Sequence, residues 1–190
     1  HTEAAGRYYD PIEMWDSVRK LCAAVTARVG VPISGVSVTS VSEAIVGIAR
    51  NGQPSGNIIT WFDTRSMKQA MRMREAFGQE KLYRITGLDV NPIFSVFKIM
   101  WIRENRPAEY EKTVKWLSVG DYILYRLTGE FATDCTLACR TMAFDICSNT
   151  WSREILDWAQ IPEDRFPPIY NSGTVIGPVS EATAQATGIT

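Results

Sequence analysis

The stretch Asn57-Ile-Ile-Thr-Trp-Phe-Asp-Thr-Arg-Ser66 governs the interpretation of the whole chain. It begins with the β-branched run Ile58-Ile59-Thr60, which suits a buried strand. Alternate positions then carry Trp61, Asp63 and Arg65, before a helical pattern begins. Because ligands of α/β sheets bind beyond the carboxyl ends of strands, the cluster predicts a site with an apolar plate, an acceptor and a donor fork. The alternative is an aromatic anchor beside a surface ion pair, a common and energetically minor feature.

Length and composition are those of an ordinary folded domain. The 190 residues, 45% hydrophobic and 22% charged, suffice for one hydrophobic core without disulfides. The formal net charge of -1 provides no positive field for nucleic acid or anionic lipid, so neither partner is predicted. No stretch approaches the roughly 20 apolar residues of a membrane span, and no signal-peptide pattern opens the sequence. We therefore expect a cytoplasmic protein.

Several classes of site lack their residues. Cys22, Cys135, Cys139 and Cys147 have no paired Cys-x-x-Cys spacing, and His1 is the single histidine, so free thiols and no metal site are expected. With His1 as the single histidine and no Gly-x-Ser-x-Gly elbow, a Ser-His-Asp triad is not predicted. The sequence also contains neither a P-loop nor a Gly-x-Gly-x-x-Gly dinucleotide motif.

Local patterns predict both helices and strands. Caps, prolines, glycines and apolar spacing predict helices over 11–29, 67–77, 79–85, 92–105, 119–128 and 153–159. Alternating or β-branched runs predict strands from Val36 toward Glu43, at 44–49, at 58–60 and at 115–117, with a hairpin turn at Asn51-Gly52 and an extended segment around Thr133-Asp134. The expected fold class is α/β, with a mixed sheet flanked by helices.

Three carboxylates are candidates for ligand binding. Glu43 and Asp63 are expected at strand ends, and Asp134 follows Thr133 in the extended segment. Carboxylate oxygens accept hydrogen bonds from hydroxyl groups, and an aromatic plate can cover the CH face of a sugar. Sugars or polyols are therefore candidate ligands. Each acid has the alternative role of a helix cap or a surface charge.

Six segments together resemble the amino-terminal domain of the FGGY family of carbohydrate kinases. They are Gly35–Glu43, Arg50–Pro54, Trp61–Arg65, Ser95–Trp101, Gly120–Gly129 and Thr133–Asp145. Their order and spacing match that family from about Tyr9 to Thr190. The stretch Ile93–Asn105 nearly fits the family's first signature and departs from it at Ile93, where the pattern has a small or aromatic residue.

The resemblance implies an actin-like, ribonuclease-H-like fold and the activity of an ATP-dependent sugar kinase. Residues 1–190 would form part of the amino-terminal, sugar-binding domain, with the sugar in a cleft against a carboxy-terminal domain and ATP with Mg²⁺ as the phosphoryl donor. The first phosphate-loop strands would precede His1, and the general-base Asp would follow Thr190. No catalytic and no metal-binding residue is then expected within this chain, which alone should be inactive. A homodimer is left open.

The resemblance also assigns individual residues. Ser42 and Glu43 match a pair that family members present to the substrate, and Ser42 is too small for the Arg clamp of glycerol kinases. Ile93 matches a position where glycerol kinases have tyrosine, so a ketose or larger polyol is favoured, as in xylulose kinases. Asp63 and Arg65 are expected to shape the cleft wall and, with Ser42, Glu43 and Ile93, to bind the substrate.

Four further residues are expected to support the cleft: Trp61, Lys98, Trp101 and Asp134. Lys98 and Trp101 are expected to brace the helix behind the cleft wall. Two other functions stay open, a glycerol or small-polyol kinase and a non-catalytic actin-like binding module.

Overall fold

The computed structural model describes residues 1–3 and 6–189. The strands are β1 (Thr2–Glu3), β2 (Gly6–Tyr9), β3 (Ile45–Ala49), β4 (Ile58–Ile59), β5 (Thr113–Ser118), β6 (Thr133–Asp134), β7 (Phe144–Asp145), β8 (Thr150–Trp151) and β9 (Ile169–Tyr170). The helices are α1 (Pro11–Val29), α2 (Met67–Phe77), α3 (Gln79–Thr86), α4 (Ser95–Asn105), α5 (Pro107–Lys112), α6 (Val119–Thr128), α7 (Cys135–Cys139), α8 (Arg153–Ala159) and α9 (Glu181–Thr187).

The central sheet has five strands in the order β1-β2-β4-β3-β5. Its pairs are antiparallel, whereas β6 and β9 form a separate parallel pair and β7 and β8 an antiparallel one. The predicted hairpin turn lies between β3 and β4, where Ala49 N donates to Gln53 O at 2.8 Å and Gly52 has φ +78°. This positive φ explains why the Asn-Gly pair suits the turn.

The two faces of the sheet bury two separate cores because successive strand side chains point to opposite faces. In β3, Ile45 joins one core, and Val46 and Ile48 join the other. The first core is completed by helices α2, α3, α4 and α8 through Met73, Leu82, Phe97 and Ile155, and the second by α1 and α6 through Trp15 and Tyr122.

Local capping signals account for the helices whose bounds were predicted well. Asp10 accepts from the N–H groups of Ile12 and Glu13 at the start of α1, and Gly30 ends that helix in the left-handed conformation. At α6, Ser118 and Asp121 form the expected capping box, in which each side chain accepts from the other residue's backbone N–H.

The strand predicted from Val36 toward Glu43 is not observed. Val36 and Val41 are exposed, and among the described strands none pairs with residues 33–44. An alternating pattern becomes a strand only where a neighbour supplies hydrogen-bond partners, and none of the described strands does so here. Glu43 consequently precedes β3 instead of ending a strand.

One helix prediction also needs correction, and some of the described helices were not predicted. Helix α4 begins at Ser95 and not after Asn91, whose side chain instead accepts from Ile93 N at 3.1 Å. The backbone N–H of Val96, in the first turn of α4, donates to Thr141 O at 3.0 Å. The residues around Val96 do not indicate this tertiary contact. Helix α5 begins at Pro107, soon after α4 ends, and helices α5, α7 and α9 were not predicted.

Candidate functional site

The polar residues identified in the sequence gather at one edge of the central sheet. Ile45, which begins β3, pairs with Ile59 at the end of β4 and with Ser118 at the end of β5. The carboxyl ends of β4 and β5 therefore meet the amino end of β3 here. Glu43 precedes β3, and Trp61–Arg65 follow β4. We call the set Glu43, Trp61–Arg65 and Ser118 the polar edge.

Lys98 of α4 links two parts of the polar edge. Its residue exposure is 0%, and its Nζ donates to the carbonyl oxygens of Glu43 at 2.7 Å and Trp61 at 3.3 Å. Ser95 Oγ donates to the same Glu43 carbonyl at 3.3 Å. A buried amine is stabilised by such acceptors, so α4 is tied to the chain on both sides of the β3–β4 hairpin.

The environment of Lys98 weakens its hold on a proton. Burial lowers the pKa of Lys98 to about 7, although the charges of Asp63 and Glu43 raise it, and Arg65 adds to the lowering. Near neutral pH the amine is therefore divided between its charged and neutral forms. Both forms have N–H groups to donate to the two carbonyls.

Asp63 and Arg65 form a closed ion pair. Arg65 Nε donates to Asp63 Oδ1 and Arg65 Nη2 to Asp63 Oδ2, both at 2.9 Å. The Asp63 side chain is 5% exposed and the Arg65 side chain 4%. The backbone N–H of Arg7 in β2 also donates to Oδ2, at 2.7 Å. Burial by itself raises the pKa of Asp63, but the hydrogen bonds from Arg65 and Arg7 outweigh it and keep the pKa below its usual value.

Other parts of the fold pack closely around the Asp63–Arg65 pair. The guanidinium of Arg65 lies 4.9 Å from the ring centroid of Trp101, and Arg106 lies 5.3 Å from the same ring. A Cβ added to Gly6 would come within 2.3 Å of Asp63 Oδ2. The pair thus connects β2, the segment that follows β4, and α4.

Glu43 has a partner that the sequence did not indicate. Arg140, which follows α7, donates to Glu43 Oε1 from Nε at 2.7 Å, and its Nη2 lies 2.5 Å from the same oxygen. The guanidinium carbon lies 5.0 Å from the ring centroid of Phe94. Arg140 belongs to the segment Thr133–Asp145 that carried the family resemblance, yet no local pattern singles it out.

The other predicted site residues differ in exposure. Trp61 is 42% exposed and contacts Phe62 edge to face, with ring centroids 5.3 Å apart. Ser42 is half-buried beside Glu43, and Ile93 is half-buried against the core around α4. The exposed part of Trp61 contributes apolar surface to the polar edge.

Asp134 caps the amino end of α7, which is the alternative role considered for it in the sequence. Its Oδ1 accepts from the backbone N–H groups of Thr136 and Leu137 at 2.8 and 2.9 Å, and its Oδ2 from Ser172 Oγ at 3.1 Å. Burial raises the pKa of Asp134, but the hydrogen bond from the Thr136 hydroxyl group, together with those from Leu137 N, Ser172 Oγ and Thr136 N, lowers it by more. The carboxylate is occupied at the start of α7.

Across residues 1–3 and 6–189, no group of three or more His, Cys, Asp or Glu side chains is arranged to hold a metal ion. The four cysteines are free. None of the helices in this part of the chain has the length and apolar composition needed to cross a membrane.

Comparison with known proteins gives consistent results. The family model for the N-terminal domain of the FGGY family of carbohydrate kinases matches residues 3–190. Xylulose kinase of Bacillus subtilis is 32% identical over 83% of the chain, and glycerol kinase of Thermococcus gammatolerans is 31% identical over 89%. The chain spans only 31% and 36% of these two relatives. The structure of xylulose kinase from Rhodospirillum rubrum superposes on the whole chain with a TM-score of 0.94 and 25% identity, using 40% of that structure, which confirms the expected α/β fold.

Proposed function

The chain belongs to the FGGY family of carbohydrate kinases, and we propose that it forms part of the sugar-binding domain of an ATP-dependent sugar kinase. Residues 1–190 supply one wall of the substrate cleft, and a carboxy-terminal domain elsewhere in the protein completes it. The observation that carries this proposal is the carboxylate of Glu43, held at the polar edge by Arg140. A fixed carboxylate that is not fully enclosed can accept hydrogen bonds from sugar hydroxyls.

The role of this chain is to bind and orient the sugar. Phosphoryl transfer depends on in-line positioning of the accepting hydroxyl, and ATP with Mg²⁺ supplies the phosphoryl group and the neutralising charge. We propose that ATP and Mg²⁺ bind through other parts of the intact protein, as membership of a sugar kinase family implies. We likewise assign the general base to an Asp that follows Thr190 in the intact protein.

We propose a ketose or larger polyol as the substrate. Glu43 accepts from its hydroxyls, Trp61 covers an apolar face, and Ser42 leaves space beside Glu43. Ile93 contributes apolar surface and no hydroxyl. Asp63, Arg65, Lys98 and Trp101 hold this surface from behind, because their side chains are directed into contacts within the fold.

A glycerol or small-polyol kinase is the second candidate, since a glycerol kinase has nearly the same identity to this chain as a xylulose kinase. The two are separated by assaying the intact protein with ATP against ketoses, pentitols, hexitols and glycerol, with ADP release as the signal. We expect the highest kcat/KM for a ketose. Activity on glycerol alone would overturn the substrate proposal.

The third candidate is a non-catalytic actin-like module. It predicts no sugar-dependent ADP release from the intact protein with any member of the panel. The Glu43→Gln variant tests whether any observed activity depends on the proposed site, because it keeps the size of the side chain and removes the charged acceptor. We expect its kcat/KM for the preferred sugar to fall about 10- to 100-fold, the loss typical of a hydrogen bond to a charged group.

A further inference from the structure

Arg140 occupies a well-defined position next to α4. Its backbone N–H donates to Leu137 O at 3.1 Å, and Thr141 N donates to Ala138 O at 3.0 Å, so the chain leaves α7 in a tight turn. The carbonyl of Thr141 then accepts from Val96 N at 3.0 Å. These bonds fix the origin of the Arg140 side chain relative to the start of α4.

Glu43 is equally constrained at its backbone. Its carbonyl oxygen accepts from both Lys98 Nζ and Ser95 Oγ, and one carboxylate oxygen, Oε1, accepts from Arg140. The ring of Phe94 lies under the guanidinium carbon of Arg140. A carboxylate and a guanidinium that are both anchored in this way lose little conformational entropy when a ligand binds.

The Glu43–Arg140 pair has hydrogen-bonding capacity left over. Within the described part of the chain, neither Oε2 of Glu43 nor Nη1 of Arg140 makes a hydrogen bond to another residue. The Arg140 side chain is 34% exposed and the Glu43 side chain 12%, so the pair is open to a ligand. Lys98 places the backbone of Trp61, whose ring is exposed, close to that of Glu43.

We infer that Arg140 is a substrate-binding residue that, together with Glu43, selects a sugar with a carbonyl next to a hydroxyl. The guanidinium only donates and the carboxylate only accepts hydrogen bonds. An open-chain ketose offers the complementary pair, a carbonyl oxygen that only accepts and a neighbouring hydroxyl that donates. The inference rests on the proposed function, since it assigns specificity within the same site.

The test uses the intact protein, ATP, and matched pairs of a ketose and the polyol obtained by reducing its carbonyl. The variants are Arg140→Gln and Arg140→Lys. Lysine keeps a positive charge that can pair with Glu43, but it lacks the planar fork that contacts Glu43 and a sugar at once. Arg84→Gln is the matched control, because Arg84 forms an exposed ion pair with Glu80, with side chains 76% and 80% exposed.

We expect Arg140→Gln to raise the KM for the ketose about 10- to 100-fold while the KM for ATP stays constant. The preference for ketose over polyol should fall by a similar factor, and Arg140→Lys should lie between Gln and wild type. Arg84→Gln should match wild type. A purely structural role for Arg140 would not change the ratio between two sugars.

The outcomes separate the two proposals. If the wild-type protein phosphorylates no sugar, the proposed function fails and the inference fails with it. If the wild type is active and both Arg140 variants keep its ketose KM and its ketose-to-polyol ratio, only the inference is overturned. If Arg140→Gln does not fold, Arg140→Lys decides: an unchanged ratio in that variant overturns the inference.

Discussion

Two acid–arginine pairs at the same sheet edge have opposite surroundings. Asp63 and Arg65 are two residues apart, 5% and 4% exposed, and bonded through both carboxylate oxygens. Glu43 and Arg140 are 97 residues apart, 12% and 34% exposed, and bonded through one carboxylate oxygen. The first pair is fully used by the protein, whereas the second keeps a donor and an acceptor for a ligand.

The conspicuous motif therefore has fewer hydrogen-bonding groups left for a ligand than the Glu43–Arg140 pair. Trp-x-Asp-x-Arg stands out in the sequence because its residues alternate, and alternation places Asp63 and Arg65 on one side of the chain. Because Asp63 and Arg65 are close in the chain, they can satisfy each other's hydrogen bonds and be buried together. A pair assembled from distant segments is less conspicuous and more open.

The largest effect on stability is expected for Asp63→Ala. The substitution leaves the buried guanidinium of Arg65 without its bidentate partner and removes the acceptor of Arg7 N–H. Breaking a buried ion pair from one side costs about 3–5 kcal/mol of unfolding free energy. Chemical denaturation measures the change, with Glu80→Ala, in an exposed pair, as a control that should change stability by less than about 0.5 kcal/mol. A loss below about 1 kcal/mol for Asp63→Ala would contradict the closed-pair description.

Gly6→Ala tests the same pair from the β2 side. Gly6 has φ +143°, and an added Cβ would lie 2.3 Å from Asp63 Oδ2, so we expect a loss of roughly 1–3 kcal/mol. Gly35→Ala is the matched control, since nothing lies within 4 Å of a Cβ there. The double variant Gly6→Ala/Asp63→Ala should lose less than the sum of the two single losses, because the second change removes Asp63, one of the two side chains that the added Cβ would meet, and frees the other, Arg65, to move away. Additive losses would show that the contact with Asp63 does not matter.

The pH dependence of stability should reveal Lys98. Its pKa is about 7 in the folded protein, whereas a lysine in the unfolded chain keeps the ordinary value of 10.5, so between these values the unfolded chain binds more protons. The free energy of unfolding should therefore rise with pH through this window, by up to about 1.4 kcal/mol per unit. Lys98→Met should flatten that rise, as measured by denaturation at a series of pH values.

Asp121 acts in the neighbouring pH window and in the opposite direction. Burial raises the pKa of Asp121 to about 7, so the folded state binds more protons between 3.8 and 7, and its contribution to stability falls as pH rises there. The comparison of Lys98→Met with wild type cancels this contribution. Equal slopes for the two proteins above pH 7 would contradict the lowered pKa of Lys98.

The sequence correctly predicted the structural features that depend on residues nearby in the chain. The caps of α1 and α6, the Asn-Gly hairpin and the bounds of α2 all follow from residues within a few positions of the element. The prediction of a strand at 36–43 was wrong because strand formation needs a partner from elsewhere. The start of α4 was misplaced for a similar reason, since Val96 N is satisfied by the distant Thr141.

The candidate site shows the same limit. Glu43 was identified as the polar end of the strand wrongly predicted at 36–43 and through the family resemblance, but its partner Arg140 lies 97 residues away. No periodicity or capping rule links two such residues. The burial of Asp63 and Arg65 likewise depends on β2 and α4, which approach only in the folded chain.

The smallest effect on stability is expected for Arg140→Gln, at about 0–1 kcal/mol, because Arg140 is partly solvated and Glu43 keeps its backbone contacts. The same substitution is expected to have a large effect on the KM for the sugar, so stability and binding should separate at this residue. For Asp63→Ala, stability and binding should change together, since the loss of Asp63 removes the contacts that hold Arg65 and Arg7. Parallel denaturation and kinetic measurements on Arg140→Gln and Asp63→Ala make the comparison. A stability loss of about 3 kcal/mol or more for Arg140→Gln would make the two pairs equivalent and remove the basis for assigning ligand binding to the Glu43–Arg140 pair.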